Sequence, residues 1–95
     1  MSLEECRETI DSIDEEIAVL LGRRSEVVRQ IALIKQRAGL PILDREREMA
    51  ILHRLDRNEA NNDVRRSVFA EIIRQSRKIQ ADAIRRGNSK PEVAE

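Results

Sequence analysis

The 95-residue chain carries 18 basic and 18 acidic side chains, so it has no net field with which to draw in nucleic acid or an anionic membrane surface. Apolar residues make up 40% of it and aromatic residues 1%, which leaves Phe69 as the single aromatic and restricts a core to Ile, Leu, Val and Ala. One cysteine, Cys6, excludes an intrachain disulfide. His53 stands alone, so no Cys/His cluster has metal-ligand spacing and neither a metal nor another cofactor is expected.

The first predicted element runs from about Leu3 to Ala38. Ser2 followed by Glu5 fits a capping box. The apolar positions Leu3, Cys6, Ile10, Ile13, Ile17, Leu20, Val27, Ile31, Ile34 and Ala38 alternate spacings of three and four, a heptad-like stripe that Gly22 interrupts only mildly. At 1.5 Å per residue such a helix is ~50 Å long, more than the diameter of a compact domain of this size. Two shorter helices cannot cover that stripe well, so a partner chain is expected to cover the remainder, giving a homodimer.

Gly39-Leu40-Pro41 is the strong internal break, and Glu59 to Asn62 a softer one. A second helix is predicted from near Asp44, a plausible N-cap, to near Arg57, with Ile51, Leu52 and Leu55 on its apolar face. A third is predicted from about Asp63 to Arg86, capped by Asn62 or Asp63, with the stripe Val64, Val68, Phe69, Ile72, Ile73, Ile79, Ala83 and Ile84. No segment alternates with period two. The fold class is therefore all-α, one long and two shorter helices in a single domain over residues 1–86, with 87–95 a disordered tail. Met1 to Glu5 lacks a basic region followed by an apolar run, and no stretch approaches the roughly 20 apolar residues of a membrane span. A soluble cytoplasmic protein is expected.

All three helices carry polar groups on faces that should be buried. On the long helix, Arg24 occupies the seam position between Leu20 and Val27, and Lys35 follows eleven residues later. Eleven residues are three turns plus about 20°, so the two cations fall on one line ~16 Å apart. Singly, either could snorkel to water past its apolar stem. On the second helix Asp44 and Glu48 share the face of Ile51 and Leu55, with Arg47 beside them. Asp44 is at least partly an N-cap, and Glu48 could be an ordinary surface pair. On the third, Ser76 and Gln80 interrupt the stripe. A helical Ser can bond back to the preceding turn, but a Gln on a core face needs a partner. Unpaired burial of the whole set would cost several kcal/mol. A shared polar cavity for a small, highly anionic ligand accounts for all of them. Arg7 lies ~25 Å along the axis from Arg24 and cannot reach the same ligand within one chain, although it could across an antiparallel dimer contact.

The ordered set Arg7 to Asp14 (R-x6-D), Arg24, Lys35, Asp44 to Glu48 (D-x-x-R-E) and Ser76 to Gln80 (S-x-x-x-Q) resembles the all-helical chorismate mutases, over roughly Leu3 to Arg86. The resemblance implies an intertwined dimer of three-helix chains with two equivalent sites. It implies that Arg24 and the partner chain's Arg7 hold the two carboxylates of chorismate, and that Arg47 adds positive potential and braces the acidic residues. By the same resemblance Ser76 helps seat a carboxylate, Lys35 and Gln80 donate to the enol-ether oxygen, and Glu48 accepts from the ring hydroxyl with the Asp44 backbone nearby. The implied reaction, chorismate to prephenate, is a pericyclic rearrangement. It needs no nucleophile, metal or obligatory acid–base step, only a restrained conformation and stabilised charge.

Three readings compete. An isochorismate-pyruvate lyase or an aminodeoxychorismate mutase could use the same scaffold. Glu48 facing a ring hydroxyl favours the mutase over the lyase, and an amino group could replace that hydroxyl. A non-catalytic helical dimerisation module would explain the stripe and the charge, but not Arg24, Lys35, Glu48 and Gln80 on apolar faces. A nucleic-acid partner is disfavoured by the zero net charge and the single aromatic.

Overall fold

The computed structural model describes residues 1–55 and 62–89. Three α-helices follow one another: α1 over Leu3–Ala38, α2 over Arg45–Leu55 and α3 over Asn62–Ser89, with no strand among the described residues.

The ends of α1 are set by local chemistry. The Glu5 N–H donates to Ser2 Oγ at 3.0 Å and the Ser2 N–H to Glu5 Oε1 at 3.4 Å, the reciprocal capping box expected from the sequence. At the other end Gly39 takes the left-handed conformation, φ +69°, where a side chain would be strained. Its N–H donates to the Gln36 carbonyl, and the Leu40 N–H donates to the Lys35 carbonyl at 2.8 Å. This pair of bonds is the Schellman arrangement, and Pro41 then prevents the helix from resuming. Gly22 does not interrupt α1, which is continuous through it.

Asp44 caps α2: its Oδ1 accepts from the Arg47 N–H at 3.0 Å and its carbonyl accepts from the Glu48 N–H at 3.0 Å. The expected end of this helix near Arg57, the softer break at 59–62 and the side-chain cap proposed for Asn62 or Asp63 fall outside the described residues or side chains. Helix α3 continues past Arg86 to Ser89, three residues beyond the expected boundary. The rest of the anticipated tail, from Lys90, lies outside the described residues.

Helix α3 packs against both α1 and α2. The apolar core is small: Val28, Ala32 and Ile73 are the buried hydrophobic residues. The face of α1 that meets α3 therefore differs from the predicted stripe. Val28 and Ala32 lie outside that stripe, and Val28 is 6% exposed where its stripe neighbour Val27 is 53% exposed. Successive helical residues point about 100° apart, so Val28 and Ala32 turn toward α3 beside the stripe rather than on it, and the inner face overlaps the stripe only along one edge, at Arg24, Ile31 and Lys35. Every residue from Met1 to Arg23 is exposed, Ile10, Ile13, Ile17 and Leu20 among them. The radius of gyration is 17.6 Å, against about 12 Å for a compact domain of this length. No helix among the described residues is long and apolar enough to cross a membrane.

Candidate functional site

A cavity of about 280 Å³ opens between the C-terminal half of α1, the start of α2 and the middle of α3. Seven of the eight residues singled out from the sequence line it: Arg24 and Lys35 from α1, Asp44, Arg47 and Glu48 from the α2 end, and Ser76 and Gln80 from α3. Arg7 does not line it. It sits exposed near the start of α1, as the helix-length argument required. The apolar part of the wall comes from Val28, Ile31, Ile42, Ile51 and Ile73.

Each polar side chain is held by a different local device. Arg24 Nη1 donates to Ser76 Oγ at 2.5 Å, and the Ser76 hydroxyl donates onward to the Ile72 carbonyl one turn earlier in α3, at 2.8 Å. The back-bond that can make a helical serine inert instead fixes an acceptor for the guanidinium. Lys35 Nζ donates to the Ile42 carbonyl at 2.8 Å. The left-handed Gly39 and the break at Pro41 turn the chain so that this carbonyl faces back toward α1. An ammonium has three N–H donors, so two remain after this contact.

Ser76 and Gln80 are each 7% exposed, the two buried polar residues among those described. Gln80 Oε1 is buried with no hydrogen-bond partner. A buried unsatisfied amide costs about 1–3 kcal/mol, and the two ends of a Gln side chain exchange by a simple flip. The amide is thus poised to bond whatever enters the cavity.

Glu48 is ion-paired across helices: Arg77 Nη1 of α3 donates to Glu48 Oε1 at 2.6 Å. Arg77, a residue not anticipated from the sequence, also lines the cavity. The bond that braces Glu48 therefore comes from Arg77, while the Arg47 backbone N–H is engaged at the Asp44 cap. Four cations and two carboxylates face the cavity, leaving a net charge of +2. Burial lowers the pKa of Arg24 from its ordinary value, and repulsion from the Arg47 cation adds to that effect. Arginine stays charged under such a shift, so the like charges stand unrelieved. An anion between them would relieve the repulsion. The arrangement suits a small dianion with further hydrogen-bonding oxygens, gripped by guanidinium forks and walled by Ile and Val.

Comparison with known proteins identifies the family. The family model "Chorismate mutase type II" matches residues 6–81. The chain is 30% identical over 82 residues to the chorismate mutase of Methanocaldococcus jannaschii, covering 82% of this chain and 83% of that protein. It is 37% identical over 79 residues to the T-protein of Haemophilus influenzae and 42% identical over 69 residues to the bifunctional chorismate mutase/prephenate dehydratase of Aquifex aeolicus. Those matches cover 79% and 73% of this chain but only 21% and 18% of the two longer relatives, so the chain spans about a fifth of their length. A solved structure of a conserved hypothetical protein from Pyrococcus furiosus superposes with a TM-score of 0.71 at 36% identity, covering 82% of this chain and 93% of that one. With a three-helix fold and a family match spanning most of its length, the chain belongs to the type II chorismate mutase family.

Proposed function

We propose that this chain is a chorismate mutase, converting chorismate to prephenate in the cavity between α1, α2 and α3. The observation that carries the reading is the cavity's charge. A pocket lined by Arg24, Lys35, Arg47 and Arg77 against Asp44 and Glu48 matches a substrate with two carboxylates. Arg24, steadied by Ser76, grips one of them. Glu48 accepts a hydrogen bond from the ring hydroxyl. The two free N–H groups of Lys35, and the Nε2–H of Gln80 once its amide is flipped so that Nε2 takes the place of the unpartnered Oε1, donate to the ether oxygen. As the C–O bond breaks, negative charge grows on that oxygen, and fixed donors stabilise it without reorganising. The remaining acceleration comes from holding a flexible molecule in a compact, reactive shape.

The second carboxylate falls to Arg7 of a partner chain in an intertwined homodimer. The exposed apolar face of α1 from Ile10 through Ile34 supports this, as does a radius of gyration too large for a self-sufficient domain. Two variants separate a shared site from a self-contained one. Arg7→Ala and Lys35→Ala should each be poor enzymes alone. Refolded together in equal amounts, they should recover roughly a quarter of wild-type sites, because half of the dimers are mixed and each mixed dimer carries one intact site. A mixture no more active than its components would contradict the shared site. The reaction itself is tested by supplying chorismate and isochorismate separately. Prephenate from the former is expected, and pyruvate release from the latter alone would favour the lyase.

A further inference from the structure

The Glu48–Arg77 pair raises a problem that the proposed reaction does not solve. A carboxylate inside a dianion pocket repels the substrate unless its charge is compensated. Three other cations face the cavity, Arg24 and Lys35 from α1 and Arg47 from α2, and Asp44 is the other carboxylate there. Arg24 is engaged with Ser76 and Lys35 with the Ile42 carbonyl. The ion pair that Glu48 makes is with Arg77, at 2.6 Å, with the two side chains 22% and 35% exposed. One Glu48 oxygen is taken by this bond, which leaves the second to accept from a ligand.

We infer that Arg77 is a positioning residue: it neutralises Glu48 toward the incoming dianion and fixes the direction of its free oxygen. The inference rests on the proposed mutase reading and extends it. Arg77 reaches the pocket from α3, one residue after Ser76 and three before Gln80, so a single turn of one helix carries the brace for Arg24, the brace for Glu48 and the amide for the substrate.

Steady-state kinetics on the full chain test it, with Arg77→Gln keeping a polar stem and Arg77→Lys keeping the charge. Arg77→Gln should lower kcat/KM about 10- to 100-fold, the scale of a lost charge-assisted hydrogen bond. Its more telling effect is on how that loss divides between KM and kcat. With the Arg77 cation gone, the Glu48 charge faces the incoming dianion uncompensated, so KM should rise about tenfold or more while kcat falls less. Arg77→Lys should restore most of the KM but less of the kcat, because an ammonium keeps the charge and lacks the planar fork. With Glu48→Gln already in place, adding Arg77→Gln should change little, since the two residues act as a unit.

A KM that stays at the wild-type value in Arg77→Gln, or a raised KM that Arg77→Lys does not bring back, would overturn the inference. So would additive losses in the double variant. Far-ultraviolet circular dichroism identifies a variant that has merely unfolded; if Arg77→Gln is one, a near-normal KM with a reduced kcat in Arg77→Lys supports the inference and a KM raised as much as kcat is lowered overturns it. Failure here with prephenate still formed by the wild type rejects the role of Arg77 only. A wild type that forms no prephenate rejects the reading beneath it.

Discussion

Lys35→Ala is expected to lower kcat by at least about two to three orders of magnitude, the scale seen when one preorganised donor to a developing oxyanion is removed. The geometry explains why the loss should fall on kcat. Lys35 is tied to the Ile42 carbonyl, so its ammonium is positioned before substrate arrives. The ether oxygen that the proposed function sets opposite it carries little charge in the ground state and more in the transition state, so that contact would strengthen where the barrier lies. Alanine is a better helix former than lysine and Lys35 is only half-buried, so α1 should persist. Steady-state kinetics with a circular dichroism control checks this. A kcat within about tenfold of wild type would remove Lys35 from the central role.

Gln80→Glu is expected to be nearly inactive at neutral pH and to recover as the pH falls. The side chain is buried against the cavity that the proposed function assigns to a dianion. A carboxylate there repels both the substrate and the charge growing on the ether oxygen. Protonation restores a donor of nearly the same shape. Burial raises a carboxyl pKa and nearby Lys35 and Arg24 lower it, but in either case activity increases as the pH drops through that value. The wild type has no such group at position 80 and should show no corresponding gain. A pH–rate profile comparing the two decides it, and a variant as active as wild type at pH 7, or flat across the range, would argue against the Gln80 contact.

Much of this molecule was legible in its sequence because local chemistry decides it. Ser2 with Glu5 and Gly39 with Pro41 announced both ends of α1, and the observed helix has the expected limits. The cavity was legible for a different reason: polar side chains on apolar faces must find a common use, and Arg24, Lys35, Asp44, Arg47, Glu48, Ser76 and Gln80 do share one wall. What sequence could not give depends on how the helices meet. Val28 and Ala32 form the inner face of α1 because α3 crosses there, whereas the heptad pattern only reported that another apolar face exists. The Ile42 carbonyl that holds Lys35 is a backbone group, and no residue type announces it. Arg77 could have been found by asking which cation balances Glu48, but nothing in a separation of 29 residues points to a particular arginine.

Wild-type protein and Lys35→Ala, incubated side by side with chorismate, would test the central claim most directly. The chain has no Trp and no Tyr, so loss of substrate absorbance can be followed against little protein background and the products then separated and identified. Prephenate formed at an enzymatic rate by the wild type, and at least about a hundredfold more slowly by Lys35→Ala, is the predicted result. Absence of prephenate with the wild type, or equal rates with both proteins, would contradict the assignment of this cavity as the catalytic site.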